Sequence, residues 1–254
     1  MKWLITAMLS LLGFTAPACA QTLVSALSDQ QIAINSGFSG QNLTLFGNVE
    51  PVPEMGQTTV KGPFDILIAI VGPPADRVTR RKERRLGIWV NAEQALYKDL
   101  PTFYYVASNR PLNAITDTAT LNDRRLTPLS QIEAAADDPK AEDAGLFSAQ
   151  LLRLMEKKGY FGANPAGVRF LSDTFYTARV ALPADVPNGN FLAETYLFKD
   201  GQVVGYHAET FSVRKIGFER FVGSAAVKFP WAYGLAAIFM AIGTGWLGGV
   251  VFRR

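Results

Sequence analysis

Phe64-Asp-Ile-Leu-Ile-Ala-Ile-Val71, closed by Gly72-Pro73-Pro74, is the stretch on which the fold turns. It is too short for a typical helix and almost wholly apolar, so it reads as a buried strand stopped by turn chemistry. Leu86–Val90 is its expected partner, and Thr102–Ala107, with three aromatics, is a further strand. Toward the amino end, Ile32 and Ile34, then Leu43 and Leu45, alternate around Gly37-Phe-Ser-Gly40. Toward the carboxyl end, strands are expected at Thr174–Leu182, Asn190–Phe198 and Gln202–Val213. Lys199-Asp200-Gly201 between the last two is a hairpin signal.

A helical section is expected inside this β frame. Asn91 before Ala92-Glu-Gln94 has the form of a helix cap, Thr127-Pro128 opens a second helix, and Gly145–Lys158 is a third. In the third, Phe147, Leu151, Leu154 and Met155 share one face, and Gly159 ends it. The acidic stretch from Glu133 to Asp143 reads as a solvated linker. Leu182-Pro-x-x-x-Pro-x-Gly189, followed by strand, is similar to bacterial immunoglobulin-like envelope modules. The expected fold is mainly β, an immunoglobulin-like sandwich over residues 21–214 with a helical insertion at about 91–170.

The two ends place this domain. Lys2, an apolar run from Trp3 to Phe14, and small Ala18 and Ala20 make the three parts of a secretory signal spanning residues 1–20. Cleavage after Ala20 removes Cys19, the only cysteine among 254 residues, so disulfides are not expected. Lipidation of Cys19 is the rival, and Ala16-Pro17-Ala18 is a poor box for it. Residues 215–228 read as a juxtamembrane stalk carrying Phe218, Phe221, Val222 and Ala225 at helical spacing. From Phe229 to Phe252 no residue is charged, and Arg253-Arg254 closes the chain. Twenty-four residues rise about 36 Å as a helix, enough to cross a bilayer core. Trp231 and Tyr233 suit the headgroup layer, and residues 253–254 the cytoplasmic side. The expectation is a single-pass inner-membrane protein with its domain in the periplasm.

Charge excludes a nucleic-acid role. The formal net charge is +3, yet residues 21–228 hold 22 basic and 22 acidic residues, so the excess sits at the ends. The concentrated feature is Arg77, Arg80, Arg81, Lys82, Arg84 and Arg85 against Glu83 alone, expected at a hairpin tip. Such density favours an anionic partner (an oxyanion, phospholipid headgroups or an acidic protein patch); the alternatives are a solvated loop or an internal pairing with the acidic stretch. Trp89 reads as a core aromatic. In the span, Ala237, Ala241, Gly245 and Gly249 recur every four residues, a stripe where another helix can approach closely. The overlapping Gly243-Thr-Gly245-Trp-Leu-Gly248 lacks the strand that a dinucleotide fingerprint requires. His207 is the only histidine, too little for a zinc set or a Ser-His-acid triad, so no metal, cofactor or catalytic residue is expected.

Taken together, the signal, the strand ending Gly72-Pro73-Pro74, Val78-Thr-Arg80-Arg81-Lys82-x-Arg84, Gly87-Ile-Trp89-Val-Asn91, Phe103-Tyr-x-Val-Ala-Ser108-x-Arg110-Pro111-Leu112 and the terminal span resemble a family of alphaproteobacterial transmembrane proteins. The resemblance covers nearly the full length. It implies an envelope accessory role beside sulfite-exporter-like permeases and supplies no catalytic residues. The function expected is thus a membrane-anchored binding or accessory module, docking to a permease or to another copy through the span. Alternatives are an envelope-structural protein and a periplasmic hydrolase using carboxylates on loops.

Overall fold

The computed structural model describes residues 22–35, 37–51, 62–138, 143–216 and 218–251. The expected signal, with Lys2 and Cys19, and the closing Arg253 and Arg254 lie outside these residues. The strands are β1 (Thr22–Leu27), β2 (Gln31–Ile34), β3 (Gln41–Glu50), β4 (Asp65–Val71), β5 (Pro74–Arg85), β6 (Ile88–Pro101), β7 (Tyr104–Ser108), β8 (Phe161–Asn164), β9 (Val168–Phe170), β10 (Phe175–Leu182), β11 (Gly189–Lys199) and β12 (Gln202–Lys215). The helices are α1 (Leu112–Ile115), α2 (Thr118–Asp123), α3 (Pro128–Ala135), α4 (Ala144–Lys157), α5 (Phe218–Lys228) and α6 (Pro230–Val251).

The fold is mixed α/β with one carboxyl-terminal helix able to span a membrane. A four-stranded sheet, β1-β3-β10-β9, faces a six-stranded sheet, β2-β12-β11-β4-β7-β8. In the larger sheet β2 runs parallel to β12 and β8 parallel to β7. Strand β4 shows why its sequence is so apolar. Ile66, Ile68 and Ile70 join the core between the sheets, while Leu67 and Ala69 join a second core under the helices. Both faces of one strand are buried, so no polar alternation survives in the sequence. The partners of β4 are β11 and β7, and not Leu86–Val90 as its sequence neighbourhood suggests.

Leu86–Val90 instead lies near the turn of a long two-stranded ribbon, β5–β6. This ribbon continues the β4–β7 ladder. Gly72 N donates to Phe103 O at 2.7 Å, Thr102 N donates to Pro73 O at 2.9 Å, and pairing resumes at Pro74 and Pro101. Asn91–Gln94 is therefore strand, not a capped helix. The cap signal is a short local one, and pairing with β5 overrides it: Glu93 stands opposite Arg81, an opposite-charge cross-strand pair. Helices α1 to α4 lie between Leu112 and Lys157, covering the outer face of the six-stranded sheet and the base of the ribbon.

The ends of the helices carry legible causes. Thr127 and Ser130 form a capping box with Pro128 in the first turn of α3. Asp117 accepts from Thr120 N at 2.7 Å to start α2, and that bond lowers its carboxyl pKa from the usual value. Asp200 and Gly201, both at positive φ, make the turn between β11 and β12 as expected.

The strand register fixes where the ribbon leaves the large sheet. Val71 at the end of β4 faces Leu192, and Leu192 faces Thr210 near the end of β12. The ribbon thus departs from the end at which β12 hands the chain, past Lys215, to α5 and α6. Helix α6 has 22 residues, a mean hydropathy of 1.8 in its most apolar window, and no buried residue. At 1.5 Å per residue it is about 33 Å long, matched to a bilayer core.

Candidate functional site on the basic ribbon

The six basic residues are not confined to a tip; they run along β5 and divide by face. Arg77, Thr79, Arg81 and Glu83 are half-buried, whereas Val78, Arg80, Lys82 and Arg84 are exposed. Arg81 is the member tied down. Its guanidinium reaches Glu93 at 2.6 Å, Asp143 at 3.1 Å and Glu83 at 3.6 Å, and lies 6.0 Å from the centroid of the Phe147 ring. Burial opposes its charge, but Glu93, then Asp143 and Glu83, outweigh that, and its pKa is raised above the ordinary arginine value. Arg85 pairs with Glu83 at 3.2 Å. Among the described residues no carboxylate lies within 4.0 Å of Arg77, Arg80, Lys82 or Arg84. Among the described residues the expected internal pairing with the acidic stretch therefore holds for Arg81 alone of the six; Lys98 makes a second tie from the ribbon, to Asp137 at 2.5 Å.

Between β5 and α4 runs a groove of about 600 Å³. Its apolar lining comes from Leu146, Leu151, Leu154 and Met155 of α4 with Val78 of β5, and its basic lining from Arg77, Arg80, Arg81 and Lys158. Leu154 is 50% and Val78 46% exposed, so neither packs fully against the protein. Helix α4 packs instead through Ser148, Leu151 and Met155. By spacing, Phe147, Leu151, Leu154 and Met155 form one core face. That face is wider than the contact it makes, and its outer edge lines the groove. Arg77 Nε is buried with no hydrogen-bond partner among the described residues. A second groove of about 590 Å³, beside β6, shares Phe147 with the first and is lined by Glu93, Asp137, Asp138 and Asp143. A basic-apolar groove beside β5 and an acidic one beside β6 thus meet at Phe147.

Trp89, expected in the core, is 69% exposed beside the turn at Leu86-Gly87. Arg110 of the Ser108-x-Arg110 motif has a structural task, clasping Asp65 at the start of β4. His207 is half-buried on β12 opposite Thr195. Among the described residues no group of three or more His, Cys, Asp or Glu is placed to hold a metal ion. Ala237, Ala241, Gly245 and Gly249 are exposed on α6, and a Cβ added at Gly245 or Gly249 would meet nothing within 4 Å.

Residues 22–254 match the family model described as Putative transmembrane protein (Alph_Pro_TM). The chain belongs to that family. The match runs from the first described strand through the ribbon, the helices and the apolar α6, so ribbon and span are parts of one family pattern. No curated protein matches the chain. Membership fixes a membrane protein with a folded domain and one spanning helix, and it assigns no reaction.

Proposed function

We propose that this family member is a membrane-anchored binding and accessory module that docks onto a membrane partner and performs no catalysis of its own. Its domain lies in the periplasm, its carboxyl end in the cytoplasm, and its two-sheet core acts as an immunoglobulin-like scaffold. The observation that carries this reading is the β5–α4 groove. An apolar lining left open, with Arg77, Arg80 and Lys158 beside it lacking ion-pair partners among the described residues, is what a docking surface presents before its partner arrives. The ribbon holds it out from the sheet. The partner implied has an apolar segment flanked by acids, and a permease beside the anchor fits. The small-residue face of α6 supplies a second contact within the bilayer, toward that permease or another copy.

The test uses photocrosslinking residues at Val78 and at Leu154 in the full chain within native membranes. Both positions should capture the same membrane protein. Arg77→Glu with Arg80→Glu should abolish that capture while leaving the domain protease-resistant. Capture of no protein from either position would overturn the docking reading.

A further inference from the structure

The end of the ribbon carries a feature that folding does not account for. Leu86 holds φ at +50° and Gly87 at +87°, the left-handed pair of a tight hairpin turn. At the first of these positions Asn, Asp or Gly is favoured, because a branched apolar side chain is strained there and has nothing to bond. Leu86 is moreover fully exposed, so its side chain repays that strain with no packing inside the domain. Ile88 is 65% and Trp89 69% exposed beside it. Three large apolar residues clustered at one projecting tip are a fault in a free surface and an asset in a contact.

The charges around the tip name the contact. Lys82 and Arg84 are exposed and free of carboxylates among the described residues, Arg85 shares Glu83, and Trp89 stands directly opposite Arg84. An apolar wedge with an amphipathic indole and a collar of cations matches a bilayer surface with anionic headgroups. The fold delivers the tip there. The ribbon leaves the sheet at the end from which the chain passes to α6, and its twelve β5 residues extend about 40 Å. Helix α5, the spacer before the span, has eleven residues and rises about 16 Å. The ribbon is therefore long enough to reach the bilayer even when it leans well over. The span keeps that bilayer permanently at hand, so a weak contact suffices.

We infer that the Leu86–Trp89 tip is a second membrane contact, inserting into the headgroup layer of an anionic phospholipid surface while Lys82, Arg84 and Arg85 engage the phosphates. This goes beyond docking at the groove and does not depend on it. The ribbon would then be pinned at both ends, one in the domain and one in the lipid, fixing the orientation of the groove above the membrane.

The experiment needs only the purified full chain and lipid. In a Cys19→Ser background, a bimane label is placed at Ile88→Cys, or at Asp173→Cys at the opposite end of the four-stranded sheet. The chain is reconstituted into phosphatidylcholine vesicles with or without phosphatidylglycerol, with spin-labelled lipid as quencher. Quenching at position 88 should be strong with phosphatidylglycerol, weaker without it and reduced by salt, and absent at position 173. Each cation removed should lower the docked-to-free ratio of the tip about fivefold, since one Lys or Arg near an anionic surface contributes that much. Leu86→Asn separates the tip from a merely structural role: it suits the turn better and should preserve or raise thermal stability, yet it should weaken quenching. Equal quenching at 88 and 173 in both vesicles would overturn the inference, as would undiminished quenching in Leu86→Asn. Because no protein partner is present, failure here leaves the crosslinking result at Val78 and Leu154 intact, and the converse holds.

Discussion

Arg81 on β5 and Asp143 at the start of α4 are joined Nη1 to Oδ2 at 3.1 Å across 62 residues of sequence. With Glu93 on the neighbouring strand, this pair clasps the ribbon to the helical layer halfway along its length. Both side chains are more than a third exposed, so the bond is screened by solvent and salt. Its expected effect is local. Arg81→Gln should leave the global unfolding transition nearly unmoved while amide exchange quickens through residues 79–93. Asp143→Asn should do the same more weakly, and the double variant should fall short of the sum. Unchanged exchange in Arg81→Gln would show that the ribbon is held by its apolar base alone.

That base predicts a larger effect. Tyr97, opposite Arg77, is 1% exposed, and its hydroxyl lies 3.3 Å from Ser148 Oγ, itself buried in α4. Tyr97→Phe leaves Ser148 short of a partner and should cost about 1 kcal/mol. Tyr97→Ala empties a core position and should cost about 3–5 kcal/mol. Denaturant midpoints measure both, and a Tyr97→Ala loss under about 1 kcal/mol would place the ribbon outside the cooperative unit.

How much of the fold is legible in the sequence depends on how local each signal is. The β11–β12 hairpin, the Thr127 cap, α4 and the span are written within a few neighbouring residues, and each stands where the sequence puts it. Asn91–Gln94 misleads because its cap-like spacing is local, whereas the force that decides it, pairing with β5, acts across the turn at Leu86-Gly87. Trp89 reads as core because a tryptophan in a strand is usually buried, and no single sequence shows that this strand runs past the edge of its domain. The groove is hidden for the same reason. Its apolar lining comes mainly from α4 and its basic lining chiefly from β5, some seventy residues earlier, and only the fold brings Leu154 beside Arg77 and Arg80.

Tyr206 supplies a pH test. Its hydroxyl donates to Glu194 Oε1 at 2.9 Å. Partial burial first, then that bond and the carboxylate charge, push its pKa up to about 12. The folded chain holds this proton more tightly than the unfolded chain, whose tyrosines titrate near about 10. The stabilisation is therefore fully present below about pH 10 and is lost as pH rises toward about 12. Alkaline absorbance titration of Glu194→Gln should show Tyr206 moved down toward the ordinary value, and Tyr196, whose hydroxyl also donates to Glu194, moved down with it, each retaining the part due to burial. A titration curve identical to that of the parent chain would mean that Glu194 does not act on Tyr206.

Association within the bilayer is open to an equally direct test. Lipid tails are as apolar as α6 itself, so burial gives helices no reason to associate, and close backbone packing must do it. Ala237, Ala241, Gly245 and Gly249 provide a face where a neighbour can approach. A four-residue repeat on a helix of 3.6 residues per turn advances about 40° each step, so this face winds slowly, as a right-handed crossing requires. Gly245→Leu with Gly249→Leu fills that face. A Cβ at either position has open space around it, and Leu is a better helix former than Gly, which stands about 0.8–1 kcal/mol below Ala. Insertion should therefore be unaffected, which alkaline extraction of membranes checks. Co-purification with the membrane partner captured at Val78 and Leu154, or self-association where the neighbour is another copy, should fall at least about tenfold. If the double variant keeps both associations, the small residues are ordinary span composition, and docking rests on the ribbon and its groove alone.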